Sequence, residues 1–250
     1  MSDASVYTWD HGAIVRGPRG EPAISLIFTG GDFGEGTEEV LDALREHGVP
    51  GSFFFTGDYL RNEAHHPSIA RLLREGHYLG PHSDGHPLYC PWEDRRKTLV
   101  TREEFRADLE RNLADLEAFG VNRAGIRWWI PPYEWYNEDI VRWSLEMGLQ
   151  PFNFTPGTLS NADYTTEDAR NYRSSETIHR SILDHETQQE DGLNGFLLLT
   201  HVGAGPGRRD KFFHRLGTLI GELTGRGYAF ERVDELLRDA PHYLEPEGTA

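Results

Sequence analysis

A chain of 250 residues with 37% hydrophobic and 12% aromatic content can bury a large core, as one α/β barrel or as two smaller domains. Its formal net charge is −16 and Lys97 and Lys211 are the only lysines, so nucleic acid and anionic membrane would be repelled rather than neutralised. Cys90 is the one cysteine; this excludes an intramolecular disulfide and a cysteine-built zinc ribbon, and leaves Cys90 an apolar packing role.

Met1 to Asp10 carries no basic segment followed by an apolar run, and no apolar stretch is long enough to span a bilayer. The chain as given therefore reads as soluble and cytoplasmic. A secretory leader already cut away would leave no trace, and secretion follows in that case.

Residues 13–29 read as a hairpin: Ala13–Arg16, a Gly-Pro-Arg-Gly turn, then Ile24–Thr29. The second run is almost wholly apolar, as expected of a strand buried on both faces. The loop 30–36 follows, and Thr37 is expected to cap a helix carrying Val40, Leu41 and Leu44 and ending at Gly48. The alternation then repeats. Residues 51–56 form a strand, Pro67 opens a helix that ends at Gly76, and Tyr78–Gly80 is a short strand. Thr101 to Glu104 is a capping box before Phe105, Leu109, Leu113 and Leu116. Residues 125–130 are a strand closed by Pro131-Pro132, Asn137 caps a helix through Met147, and residues 149–154 are a further strand. The polar loop 155–173 is long enough to suggest a functional role. A helix near Ser174–Gln189, the strand 196–200, an amphipathic stretch 211–223, the strand 228–230 and a last helical turn 234–237 complete the chain.

Seven strands alternating with helices predict parallel βα units with right-handed crossovers, closed into a barrel whose site gathers at the C-terminal ends of the strands. The expected organisation is an N-terminal extension with one hairpin strand (residues 1–23), a single barrel domain (24–240) and a tail (241–250). Chemistry-bearing residues fall at those strand ends: Asp32 after the first barrel strand, His82 and His86 after the third, Tyr133 and Glu134 after the fourth, His201 after the sixth. In Pro81-His82-Ser83-Asp84-Gly85-His86 the histidines stand four apart, so on a helical turn both imidazoles share one face and can reach one metal ion. Two surface histidines in a polar loop are the plainer reading of the same residues.

These segments, in this order, resemble the polysaccharide deacetylases of carbohydrate esterase family 4, the NodB-homology domain, over about Ile24 to Leu237. The resemblance implies a distorted (β/α)7 barrel, one divalent metal ion, usually zinc, held by one Asp and two His, and hydrolysis of acetyl groups on an oligo- or polysaccharide. The family's Thr-Phe-Asp-Asp stands here as Thr29-Gly30-Gly31-Asp32, so Asp32 matches the metal-binding Asp and Gly31 replaces the general base. The His-Ser/Thr-x-x-His segment is complete in His82 to His86. The Arg-x-Pro-Tyr/Phe segment is Ile130-Pro131-Pro132-Tyr133, so the arginine that orients the base is also missing, while Tyr133 matches the residue whose amide helps bind the oxyanion. The Asp-x-x-Asp-Trp segment has no counterpart, although the loop 154–164 occupies its place. Leu199-Thr200-His201 matches the late Leu-x-His segment, with His201 as general acid and Leu199 at the acetyl methyl.

Base and arginine form one unit, and both are gone together. Either another carboxylate serves as base, Glu134 first and Glu35 or Asp84 after it, or the site binds metal and sugar with little hydrolysis. Glu134 also reads as an exposed residue leading the next helix, and Asp84 as a group steadying a ligating imidazole. Among the rim aromatics, Trp135 and Tyr136 are assigned to ligand. The expected function is metal-dependent removal of acetyl groups from an N- or O-acetylated carbohydrate. The rivals are a metal-containing carbohydrate-binding protein on the same fold, and hydrolysis of a different C–N bond. An open groove points to a polymer and a closed pocket to a small substrate; oligomeric state is left open.

Overall fold

The structure, a computed structural model, describes residues 4–241; the expected tail lies outside the described residues from 242 onward. The chain opens with β1 (Thr8–Asp10) and β2 (Ala13–Arg16), an antiparallel hairpin turned at His11 and Gly12. Both turn residues have positive φ, 44° and 84°, a backbone whose twist suits a two-residue hairpin. The hairpin expected between Ala13–Arg16 and Ile24–Thr29 does not form. That second run is β3 (Ala23–Gly30), and both of its edges are taken by parallel neighbours, leaving β2 to bridge Phe152 through Ile14.

From β3 the chain alternates through α1 (Thr37–His47), β4 (Ser52–Phe55), α2 (Gly57–Arg61), α3 (His66–Arg74), β5 (Tyr78–Pro81), α4 (Arg102–Ala118), β6 (Trp128–Trp129), α5 (Glu138–Glu146), β7 (Gln150–Pro151), α6 (Ser175–Gln188), β8 (Phe196–His201), α7 (Leu216–Gly225), β9 (Ala229–Phe230) and α8 (Val233–Leu236). The strands expected over 125–130 and 149–154 shrink to two paired residues each. Thr101 and Glu104 make both bonds of a capping box, and the Asn137 side chain accepts the Ile140 N–H. Thr37 is not the cap of α1. Gly36 is, and the Thr37 hydroxyl donates instead to the Gly34 carbonyl and pairs with the Tyr59 hydroxyl.

Parallel ladders run in the order β5-β4-β3-β8, with β9 on the early end of β3, and β6 pairs β7 separately. Irregular bonds close the ring. The Tyr78 hydroxyl donates to the Trp128 carbonyl and accepts the Trp128 N–H, joining β5 to β6. Thr155, just past β7, donates its N–H to the Leu197 carbonyl, and its hydroxyl accepts the Leu197 N–H on β8. The result is a distorted (β/α)7 barrel with an N-terminal hairpin.

The two-residue period of the strands sorts the core into two layers. Ile27, Phe54, Leu197 and Leu199 face the barrel interior with Ile14, Trp128, Ile130 and Phe152. Ile24, Leu26, Phe28, Phe53, Phe55 and Leu198 face outward against the helices. Cys90 is buried, and burial pushes its thiol up to about 11, in keeping with packing. No helix among the described residues is long and apolar enough to cross a membrane.

Candidate active site

The C-terminal ends of the strands surround one cavity of about 730 Å³, within the range of ligand sites, ~300–1,000 Å³. Asp32, His82, His86, Tyr133, Glu134 and His201 all line it. Strand ends dispersed over 170 residues of chain therefore meet at one rim, as parallel closure requires.

The His82–His86 segment is not the helical turn expected from its spacing. It leaves β5 as an irregular turn with Ser83 and His86 at positive φ, 68° and 51°. The Ser83 hydroxyl accepts the His86 N–H, which folds the turn back and sets the two imidazoles edge-on at 4.9 Å. Helix α4 clamps this turn from beneath. The Asp108 carboxylate accepts the N–H groups of Asp84 and Gly85, and Asn112 accepts that of His82. Backbone held in sparsely populated regions persists only where its surroundings over-determine it.

His82 Nδ1 lies 2.8 Å from the Ile130 carbonyl. A carbonyl only accepts, so Nδ1 carries the hydrogen and the lone pair is left on Nε2. Burial lowers the His82 pKa well below its usual value, and burial together with the charge of His201 lowers that of His86 to about 4. Both rings are neutral at neutral pH, as ligating imidazoles are. Asp32 is exposed at the lip of the same cavity, and its charge acts on His86. Among the described residues no three His, Cys, Asp or Glu side chains gather tightly enough to hold an ion as they stand. The donor set itself, two neutral imidazoles and a carboxylate, fits a borderline divalent ion such as zinc.

His201 ends β8 and is fixed by Asp163, which the sequence left unassigned. Asp163 is buried; its Oδ1 lies 2.6 Å from His201 Nδ1 and its Oδ2 accepts the His201 N–H at 2.8 Å. Burial alone would lower the His201 pKa, but the Asp163 charge and hydrogen bond, with Glu134 beyond, raise it above its usual value. Asp163 and Tyr164 come from the long polar loop, and buried Arg208 holds that loop through the carbonyls of Thr165 and Arg173. The only signal in the sequence was the loop's length.

Tyr133 and Glu134 sit in a tight turn after β6, both at positive φ, 57° and 51°. Glu134 is half-buried rather than an exposed helix leader. Burial pushes its carboxyl up to about 7, against the pull of His201 and with a further push from Asp163. Glu134 therefore shares the cavity with His201, whose charge it feels. Gly31 also lines the cavity, and a Cβ there would meet only the Thr56 side chain, at 3.6 Å and 3.8 Å.

Five expected residues do not line the cavity. Leu199 is fully buried in the barrel interior and does not line the cavity, because the strand alternation turns it inward. Tyr136 is fully buried, its hydroxyl on the Asp10 carbonyl. Glu35 is a loop bracket, accepting the N–H groups of Ala204 and Gly205 and pairing with Lys211, and these partners lower its pKa despite burial. Asp84 is gripped by Arg61 and Arg111, which lower its pKa against burial, and neither partner is an imidazole. Trp135 lies just behind the cavity wall, its indole N–H on the Pro91 carbonyl. The aromatics on the rim itself are Phe33, Trp92, Tyr133 and Tyr164, all exposed.

Residues 16–152 match the polysaccharide deacetylase family model. A peptidoglycan-N-acetylglucosamine deacetylase of Bacillus cereus is 26% identical over 89% of this chain and 70% of its own. A chitooligosaccharide deacetylase of Sinorhizobium fredii is 31% identical over 54% of this chain and 58% of its own. Among solved structures, the family 4 carbohydrate esterase PdaA of Bacillus subtilis superposes with a TM-score of 0.72 at 22% identity, over 92% of this chain and 87% of its own. A CE4 family pseudoenzyme from Bacillus anthracis superposes with a TM-score of 0.70 at 18% identity, over 92% of this chain and 70% of its own. These likenesses carry the fold, and the family model spans more than half of the 250 residues: the chain belongs to the polysaccharide deacetylase family.

Proposed function

We propose that the protein is a metal-dependent hydrolase that removes acetyl groups from an N- or O-acetylated carbohydrate. The relatives that act on N-acetylated glycans support the substrate class. One observation carries the chemistry: a donor set (Asp32, His82, His86) and two proton-handling groups, Glu134 and His201, line one cavity, with buried Asp163 holding His201 from behind. A divalent ion held by the donor set, zinc by the nature of the donors, would polarise the acetyl carbonyl and acidify water beside it.

The protein's own groups supply the rest. Glu134, with a carboxyl balanced near neutrality, takes a proton from the attacking water, an effect worth about 10²- to 10⁴-fold in rate. His201 gives a proton to the departing amine or alkoxide. Asp163 accepts from Nδ1, so the proton that moves is the one on Nε2. Tyr133, in the tight turn at the cavity rim, offers its main-chain N–H to the oxyanion.

The rival reading is carbohydrate binding with little hydrolysis, and the observation favouring it is Gly31, where the family's base is absent. The test is acetate release from acetylated chito- and xylo-oligosaccharides with metal content measured on the same sample. Acetate release that depends on bound metal supports hydrolysis; tight sugar binding without acetate supports the rival.

A further inference from the structure

Trp92 belongs to the segment that follows the histidine turn, lines the cavity, and is 56% exposed. Yet it is not loose. Its ring stacks on Trp135 at 5.6 Å and 30° between planes. The Arg95 guanidinium lies 4.4 Å from the Trp135 ring and 4.7 Å from the Tyr136 ring, and Arg95 is itself tied to the Tyr136 carbonyl and to Asp10. Trp135 also donates its indole N–H to the Pro91 carbonyl, the residue next to Trp92. Trp92 meets Tyr133 edge-on at 5.9 Å, and Tyr133 leans on His86 at 4.4 Å. An unbroken run of rings leads from the histidine pair to the outer face of Trp92.

A large apolar face kept rigid and left open to solvent has already lost the rotamer freedom that binding would remove, so a ligand placed on it loses less. A flat ring with negative π faces suits the C–H-rich face of a pyranose and offers no charge to select for or against. We propose that Trp92 is the stacking platform for the sugar ring next to the one whose acetyl group enters the cavity. The site then takes an oligosaccharide of two units or more. This rests on the carbohydrate reading above but not on turnover.

The test compares wild type, Trp92→Ala and Trp92→Tyr in the metal-loaded protein, with acetylated chitotetraose and xylotetraose and their monosaccharide counterparts as probes. Calorimetric Kd and the KM for acetate release are measured for each. The expected result is a rise in Kd and KM of about tenfold for the tetrasaccharide in Trp92→Ala, an unchanged monosaccharide, and recovery by Trp92→Tyr. Equal tetrasaccharide binding in wild type and Trp92→Ala overturns the platform, as does an equal loss for monosaccharide and tetrasaccharide, or no binding of either tetrasaccharide by the wild type. If the wild type releases no acetate while Trp92→Ala still weakens tetrasaccharide binding, the hydrolytic reading fails and the platform stands.

Discussion

The buried Asp163 carboxylate holds His201 at two points, Nδ1 at 2.6 Å and the main-chain N–H at 2.8 Å. Both ring position and tautomer follow from this pair, since an ionised carboxylate only accepts. Asp163→Asn offers an amide that can present its NH₂ to Nδ1 and favour the wrong tautomer. Turnover is expected to fall roughly 10²-fold or more with metal content unchanged. Loss of metal in the variant would contradict the role given to the pair.

The pH profile tests the same relationship. Glu134 must be ionised to act as base and His201 protonated to act as acid. The Asp163 charge raises both pKa values. Removing it in Asp163→Asn is expected to move both limbs of the rate profile to lower pH. A shift confined to the acidic limb would mean that His201 is not the acid.

Glu134→Gln is expected to lower turnover roughly 10²-fold or more without loss of metal. It should also change stability in a pH-dependent way. The folded pKa, pushed up to about 7, exceeds the unfolded value of about 4.3, so the stability it brings is full below ~4.3 and is lost as pH rises through about 7. The metal-free variant is expected to match wild type at pH 4 and to melt at a higher temperature at pH 8. A constant difference in melting temperature across that range would show that Glu134 is not held in a disfavoured state.

Part of this site was legible in the sequence and part was not, for physical reasons. The strand-end positions of Asp32, His82 and His86 were readable, and all three line the cavity; the helical reason given for the histidine pair was not, because Ser83 and Asp108 fold an irregular turn in its place. The Thr101 and Asn137 caps were readable because capping is local. Asp163 was not, because its partner lies 38 residues away and nothing around it is periodic. Leu199 was misplaced because a sequence gives a strand's alternation but not which face meets the cavity, and Tyr136, in the loop before α5, because its partner Asp10 lies 126 residues away. Trp92 shows the same limit in reverse: nothing local in the sequence shows that Trp135, 43 positions on and itself under Arg95, stacks on its ring. The hairpin was mispaired because the competition for the edges of β3 is decided by β4 and β8, far along the chain.

Gly31→Asp probes the vacated base position. A Cβ there makes only ordinary contacts with Thr56, so the variant is expected to fold with wild-type stability and to raise acetate release. Ile130→Arg is different: Ile130 is fully buried in the barrel interior, and an unpaired cation there is strongly destabilising, by about 3–5 kcal/mol. The double variant is expected to regain part of that loss and to exceed the sum of the single changes in activity. Strict additivity in both melting temperature and rate would show that the two positions do not face each other.

The most direct measurement is acetate release from acetylated chito- and xylo-oligosaccharides by wild type and His82→Ala, with metal quantified in the same samples before and after chelation. The account predicts about one divalent ion per wild-type chain, acetate release lost on chelation and restored by zinc, and neither ion nor release in His82→Ala. Equal metal content in the two proteins, or release that survives full removal of the ion, would contradict it.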